Sequence, residues 1–212
     1  MLLLAADTSG KHGSIALARG NPDASCDVVE EVPLAGGTFS AQLIPQVAAI
    51  LAKHGLTKEE IGGFAVASGP GSFTGLRVGL AAIKALAEVT GKPIAAVSLL
   101  EVVARAAGVS GRVIAILDAG RGEVYLGEYD FPSGKLNREQ LLTRADVTAA
   151  AEGKTVVSPD GIIPGASVVD WPSAGQVASL GWKRILAGET ISPEALEANY
   201  IRRSDAEIFS KS

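Results

Sequence analysis

Short apolar runs alternate along this chain with stretches whose apolar residues recur at the helical period. Leu2–Ala6 is such a run. It is broken by Asp7-Thr8-Ser9-Gly10 and followed by Ser14–Ala18, a pattern that predicts two strands joined by a polar turn. A third strand is expected over Cys26–Pro33. After Gly36-Gly37, Leu43, Val47, Ile50 and Leu51 keep the helical spacing, predicting a helix from about Ser40 to His54 that Gly55 stops. Pro45 either lies in its first turn or kinks it, because an interior proline removes a backbone hydrogen bond. Phe64–Ala67 reads as a buried strand. The Gly-rich turn Ser68–Ser72 leads into a helix from about Thr74 to Val89, with Gly91 and Pro93 beyond it. Leu76, Leu80, Ile83 and Ala87 form its apolar stripe. Ile94–Val97 is the next strand and Leu99–Ala107 the next helix.

The pattern then restarts. Val113–Leu117 ends in Asp118-Ala119-Gly120-Arg121-Gly122, and Val124–Tyr129 follows as a second strand. Further strand and helix candidates are Asp146–Ala151, Thr155–Ser158 and Ala174–Leu186. Asp7 and Asp118 thus hold corresponding places in two strand–turn–strand units. This order predicts an α/β fold of two stacked lobes, actin-like and sugar-kinase-like. Residues 1–108 would form the first lobe and 109–212 a reduced second one. A single doubly wound sheet is the rival arrangement.

Composition narrows the class. With 212 residues, 47% of them hydrophobic and 20% charged, the chain can bury a core and is not disordered. A net charge of −4 and 5% aromatic content argue against a direct grip on nucleic acid, which needs clustered cations and stacking rings. A lone cysteine, Cys26, excludes an internal disulfide framework and any Cys-based zinc cluster, and fits a reducing compartment. No apolar run reaches the ~18–20 residues of a membrane span, and Met1–Ala6 is too short for a signal peptide. The expectation is a soluble cytoplasmic protein.

Familiar catalytic arrangements are missing. His12 and His54 are the only histidines, and neither stands near another ligand pair, so no metal site is expected. Ser72 lacks the Gly-x-Ser-x-Gly context of a hydrolase elbow. Gly69–Gly75 joins strand to helix, where an anion is favoured, yet it fits neither the dinucleotide fingerprint nor a P-loop. Asp7-Thr8-Ser9 and Asp118, with Arg121 beside it, could contact phosphates and a bridging metal, or could simply make Asx turns. Gly75 and Gly79, with Ala81, Ala82 and Ala85, would let another helix approach closely. A buried helix pair and a subunit interface both fit those residues.

Ser68-Gly69-Pro70-Gly71-Ser72-Phe73-Thr74-Gly75-Leu76-Arg77 closely resembles the signature of the TsaB (YeaZ) family, partner proteins in bacterial tRNA threonylcarbamoyladenosine synthesis. Leu4–Ser9, Leu117-Asp118-Ala119 with Glu123-Val124-Tyr125, and Tyr200-Ile201-Arg202 with Ala206-Glu207 agree with it. The resemblance implies a duplicated actin-like (ASKHA, ribonuclease-H-like) fold, degenerate relative to the catalytic subunit TsaD. It implies pairing with TsaD through the two first-lobe helices, recruitment of the ATPase TsaE, and homodimerisation when TsaD is absent. That face would comprise Ser40, Leu43, Ile44 and Val47 of the first helix. Ser72, Phe73, Thr74, Leu76, Arg77, Leu80, Ile83 and Lys84 would supply its other side. No cofactor of its own is implied; ATP or ADP would sit at the complex interface, and tRNA would be reached only through the complex. The catalytic relative holds its metal with two histidines on a first-lobe helix, whereas Phe39–Pro45 here has none. Gly120 also departs from the family, which commonly places Arg directly after Asp-Ala. The alternative is a small actin-fold ATPase or phosphotransferase using Asp7 and Asp118.

Overall fold

The computed structural model describes residues 1–202. Two five-stranded sheets organise the chain. The first is built from β1 (Leu2–Asp7), β2 (His12–Gly20), β3 (Cys26–Ala35), β4 (Gly63–Gly69) and β5 (Ile94–Ser98). Its order is β3-β2-β1-β4-β5, antiparallel across β3, β2 and β1 and parallel across β1, β4 and β5. The second contains β6 (Gly111–Gly120), β7 (Glu123–Phe131), β8 (Lys135–Thr143), β9 (Thr155–Ser158) and β10 (Ser167–Val168). There the order is β8-β7-β6-β9-β10, with the same directions in the same places. The duplication expected from the two Asp turns is therefore a duplication of topology, and the rival single sheet is excluded.

Helices α1 (Phe39–Lys53) and α2 (Phe73–Thr90) cover one face of the first sheet. That face carries the large side chains Leu4, Ile15, Leu17, Phe64 and Val66, which pack with Leu43, Val47, Leu76, Leu80 and Ile83. Full burial of such side chains contributes ~1.5–3 kcal/mol each. Pro45 lies inside α1, which continues through it. Ala41 and Pro45 are both exposed, so the hydrogen bond lost at proline falls on the water side. Ser72 caps α2, its Oγ accepting from the Gly75 N–H at 3.3 Å, and Gly91 ends it at φ +66°.

The opposite face of the first sheet is small: Ala5, Ala16, Ala65, Ala67 and Ala95 are all buried there. Helix α5 (Ala174–Leu186) lies on it, close enough that a methyl group on Gly181 would overlap Ala65. Accordingly, among the described residues, one compact unit comprises Met1–Leu99 together with Pro172–Ala198, and the other Leu100–Trp171 with Asn199–Arg202. This differs from a division at residue 108. Most of α3 (Leu99–Arg105) belongs to the second unit, where Leu100 seats against Gly127 of β7 and Arg105 lies 5.3 Å from the Phe131 ring.

The second unit is reduced, as expected. Its counterpart of α1 is the five-residue α4 (Val147–Ala151), and no helix separates β9 from β10. A small core of Ile114, Ile116, Val124, Leu126 and Val147 fills the space. No helix among the described residues is long and apolar enough to cross a membrane.

Candidate functional site

The turn after β1 packs against the start of α2. Asp7 Oδ1 accepts from the Ser9 N–H at 2.9 Å and the Ser9 hydroxyl at 2.6 Å, an Asx turn. Burial pushes the Asp7 carboxyl above its usual range, the Ser9 hydrogen bonds partly oppose this, and the charge of Glu31 adds to the rise. Thr8 Oγ1 donates to the Gly75 carbonyl at 2.7 Å and accepts from the Gly79 N–H at 3.1 Å. The Ser72 N–H donates to the Ser9 carbonyl at 2.6 Å. Side chains at Gly71, Gly75 or Gly79 would each overlap Ser9 or Thr8. The glycines that suggested close helix–helix approach instead admit this turn. Asp7, Thr8 and Ser9, all buried, thereby lock the Gly-rich loop to the sheet.

Asp118 is more open. Its Oδ1 accepts from the Gly120 N–H at 3.0 Å and from Arg144 at 3.1 Å, and its own N–H donates to Asp160. Arg121 and Gly122 have φ of +56° and +80° and form the two-residue loop between Gly120 and Glu123, the left-handed geometry of a type I′ hairpin. Gly120 itself has φ +72°, so glycine in place of the family's arginine suits this backbone. Arg202 pairs with Glu123, bringing two of the segments that carry the family resemblance together. Ala206 and Glu207 lie outside the described residues. Among those described, no three His, Cys, Asp or Glu side chains gather into a metal-holding group.

A groove of about 500 Å³ runs between α1 and α2, lined by Ser40, Leu43, Ile44, Phe73, Thr74, Arg77, Val78, Ala81 and Ala82. Ile44 is 49% exposed and Phe73 40%, large apolar side chains left in water beside one another's helices. The Arg77 guanidinium lies 3.7 Å from the centre of the Phe73 ring, a cation–π contact on the groove wall. The candidate interface residues divide here. Ser40, Ile44, Phe73, Thr74 and Arg77 border the groove, with Leu43 as its buried floor. Ser72 is exposed at the helix start and Lys84 half-buried farther along α2. Val47, Leu76, Leu80 and Ile83 point into the core beneath and are at most 7% exposed, so they offer no outward surface. Val78 was missed as a groove residue, whereas Ala81 and Ala82 were singled out only as small residues beside which another helix could pack. The signal was present: Thr74, Arg77, Val78 and Ala81 repeat at i, i+3, i+4 and i+7, the stripe adjoining the core stripe.

The sequence model of the family described as "TsaD: tRNA N6-adenosine threonylcarbamoyltransferase" matches residues 33–158. A Bacillus subtilis protein named "tRNA threonylcarbamoyladenosine biosynthesis protein TsaB" is 34% identical over 151 residues, 71% of this chain. The chain spans 63% of that relative's length. An Escherichia coli protein of the same name is 29% identical, with 92% of this chain and 83% of the relative covered. A Pseudomonas aeruginosa structure, described as an uncharacterized protein with similarity to peptidase YeaZ, superposes with a TM-score of 0.77 at 27% identity. It covers 95% of this chain and 99% of its own.

Proposed function

This chain belongs to the TsaB (YeaZ) family, and from that premise we propose that it is a non-catalytic subunit in the biosynthesis of threonylcarbamoyladenosine in tRNA. In this reading it binds and activates a TsaD-type transferase, which carries the group to N6 of the adenosine 3′ of the anticodon, and it helps recruit the TsaE-type ATPase. The observation that carries the reading is the α1–α2 groove, where Ile44 and Phe73 stand exposed around an apolar trough. Exposed large apolar side chains clustered in a trough favour a protein partner. The same groove would serve a homodimer when the transferase is absent. ATP or ADP would be held at the interface of the complex, and the setting would be cytoplasmic.

The competing phosphotransferase would need Asp7 free to meet a metal or phosphate. Its Oδ1 is engaged by Ser9 and its turn is clamped on α2, which favours the structural role. The deciding experiment is mass spectrometry of tRNA nucleosides after depletion of the protein. Loss of threonylcarbamoyladenosine is expected; an unchanged level would overturn the proposal.

A further inference from the structure

The second sheet carries a row of cations at the end farthest from Asp118. Arg112 is the second residue of β6, Lys135 and Arg138 lie on β8, and Lys154 immediately precedes β9. Strand pairing sets Lys154 next to Arg112, and Arg138 opposite Glu128 of β7. Glu128 is buried, and three of these cations converge on it: Arg138 at 2.9 Å, with Arg112 and Lys154 both at 3.4 Å. Asp130, on the same strand, takes Arg112 at 3.1 Å.

One buried carboxylate needs one good partner, and gathering further cations around it adds desolvation cost without adding an anion. Here three cations meet two carboxylates, and the exposed Lys135, in register with Asp130, adds a fourth, a local excess of positive charge on a chain whose net charge is −4. The two arginines are about half exposed and make these contacts through Nε. Their terminal nitrogens are the part of the fork that matches phosphate oxygens. The four strands β9, β6, β7 and β8 span about 14 Å at the usual strand spacing. Over such a width a nucleic acid duplex presents several phosphates.

We propose that this row on the second sheet is a docking surface for the sugar–phosphate backbone of tRNA, with Glu128 holding the cations in line. The proposal rests on the functional reading above and goes beyond it, since it places tRNA in direct contact with this chain and not only with its partner. Average charge and aromatic content hide such a surface: backbone docking requires neither stacking rings nor a basic protein, only clustered cations.

The test is binding of fluorescein-labelled, unmodified tRNA to the full chain, by anisotropy across a range of salt concentrations. The wild type is expected to bind with a salt-dependent affinity. Arg112→Gln with Arg138→Gln should weaken binding roughly tenfold near 0.1 M salt and lower the slope of log K against log salt by about 2. Equal binding by the variant, or none by the wild type, would overturn the inference. So would binding to phosphatidylglycerol vesicles without binding to tRNA. If the double variant does not fold, Lys135→Glu, on an exposed side chain, carries the same comparison. Depletion followed by nucleoside analysis judges the functional reading separately: lost modification with unaltered tRNA binding would sink only the docking surface.

Discussion

A methyl group on Gly75 would overlap the carbonyl oxygen of Thr8, two residues 67 positions apart in the chain. Elsewhere in a helix, glycine to alanine stabilises by ~1 kcal/mol through propensity alone. At Gly75 the contact is with backbone, which cannot swing away, so the overlap wins. Gly75→Ala should destabilise the protein by about 1–3 kcal/mol, in line with overpacking. Gly79→Ala should cost less, because it meets the Thr8 side chain, which can rotate at the loss of two hydrogen bonds. Urea unfolding of both variants checks the order; a stabilised Gly75→Ala would show that the clamp is not tight.

Asp7 gives a pH signature. Its folded carboxyl is raised from 3.8, chiefly by burial. As pH rises past the unfolded value, the unfolded chain releases this proton while the folded protein still holds it. Stability therefore falls through the window up to the raised folded value and stays lower above it. Asp7→Asn keeps an oxygen for the Ser9 bonds and carries no charge. Its melting temperature should match the wild type near pH 3.5 and exceed it at pH 7. A variant less stable at pH 7 would mean that the ionised carboxylate is favoured there.

Ser14 fastens α5 to the first sheet. Its Oγ accepts from the Ala174 N–H at 2.8 Å and donates to Glu31 at 2.7 Å, while Ser173 donates to the other Glu31 oxygen at 3.1 Å. Ser14→Ala would leave a buried N–H at the helix start without a partner, a loss of about 1–3 kcal/mol. Denaturant unfolding should show a lower midpoint with little change in slope. A negligible shift would mean that water replaces the hydroxyl.

Local pattern made most of the first unit legible, because β1, β2, β4 and β5 are largely buried and glycine follows the ends of α1 and α2. The placement of α5 was not legible. Nothing in Ala174–Leu186 says which sheet it meets, and the fit of Gly181 to Ala65 depends on residues more than a hundred positions earlier. Strand β8 was also missed. Its sequence, KLNREQLLT, is largely polar and forms a sheet edge, where pairing rather than burial decides. For the groove, the sequence pointed to the two helices that border it but to both of their faces. Amphipathicity finds the stripe that is buried; which neighbouring stripe stays open depends on how the two helices lie together.

That distinction gives the most direct test of the interface. Ile44→Glu and Ala81→Glu place a charge on the groove, where the isolated protein can hydrate it, so the melting temperature should change little. Leu80→Glu puts the charge in the core, where an unpaired carboxylate is costly, and should unfold the protein or lower its melting temperature sharply. Loss of assembly by Leu80→Glu would consequently say nothing about the interface. Size-exclusion chromatography of each folded groove variant with a TsaD-type partner, and alone, separates the cases. Ile44→Glu should abolish both the mixed complex and self-association, since a central buried apolar anchor commonly accounts for 2 kcal/mol or more, about thirtyfold in affinity. Arg77→Ala should weaken association less, because its cation–π contact with Phe73 lies on the groove wall. If a folded Ile44→Glu protein assembles as the wild type does, the partner surface lies elsewhere than between α1 and α2.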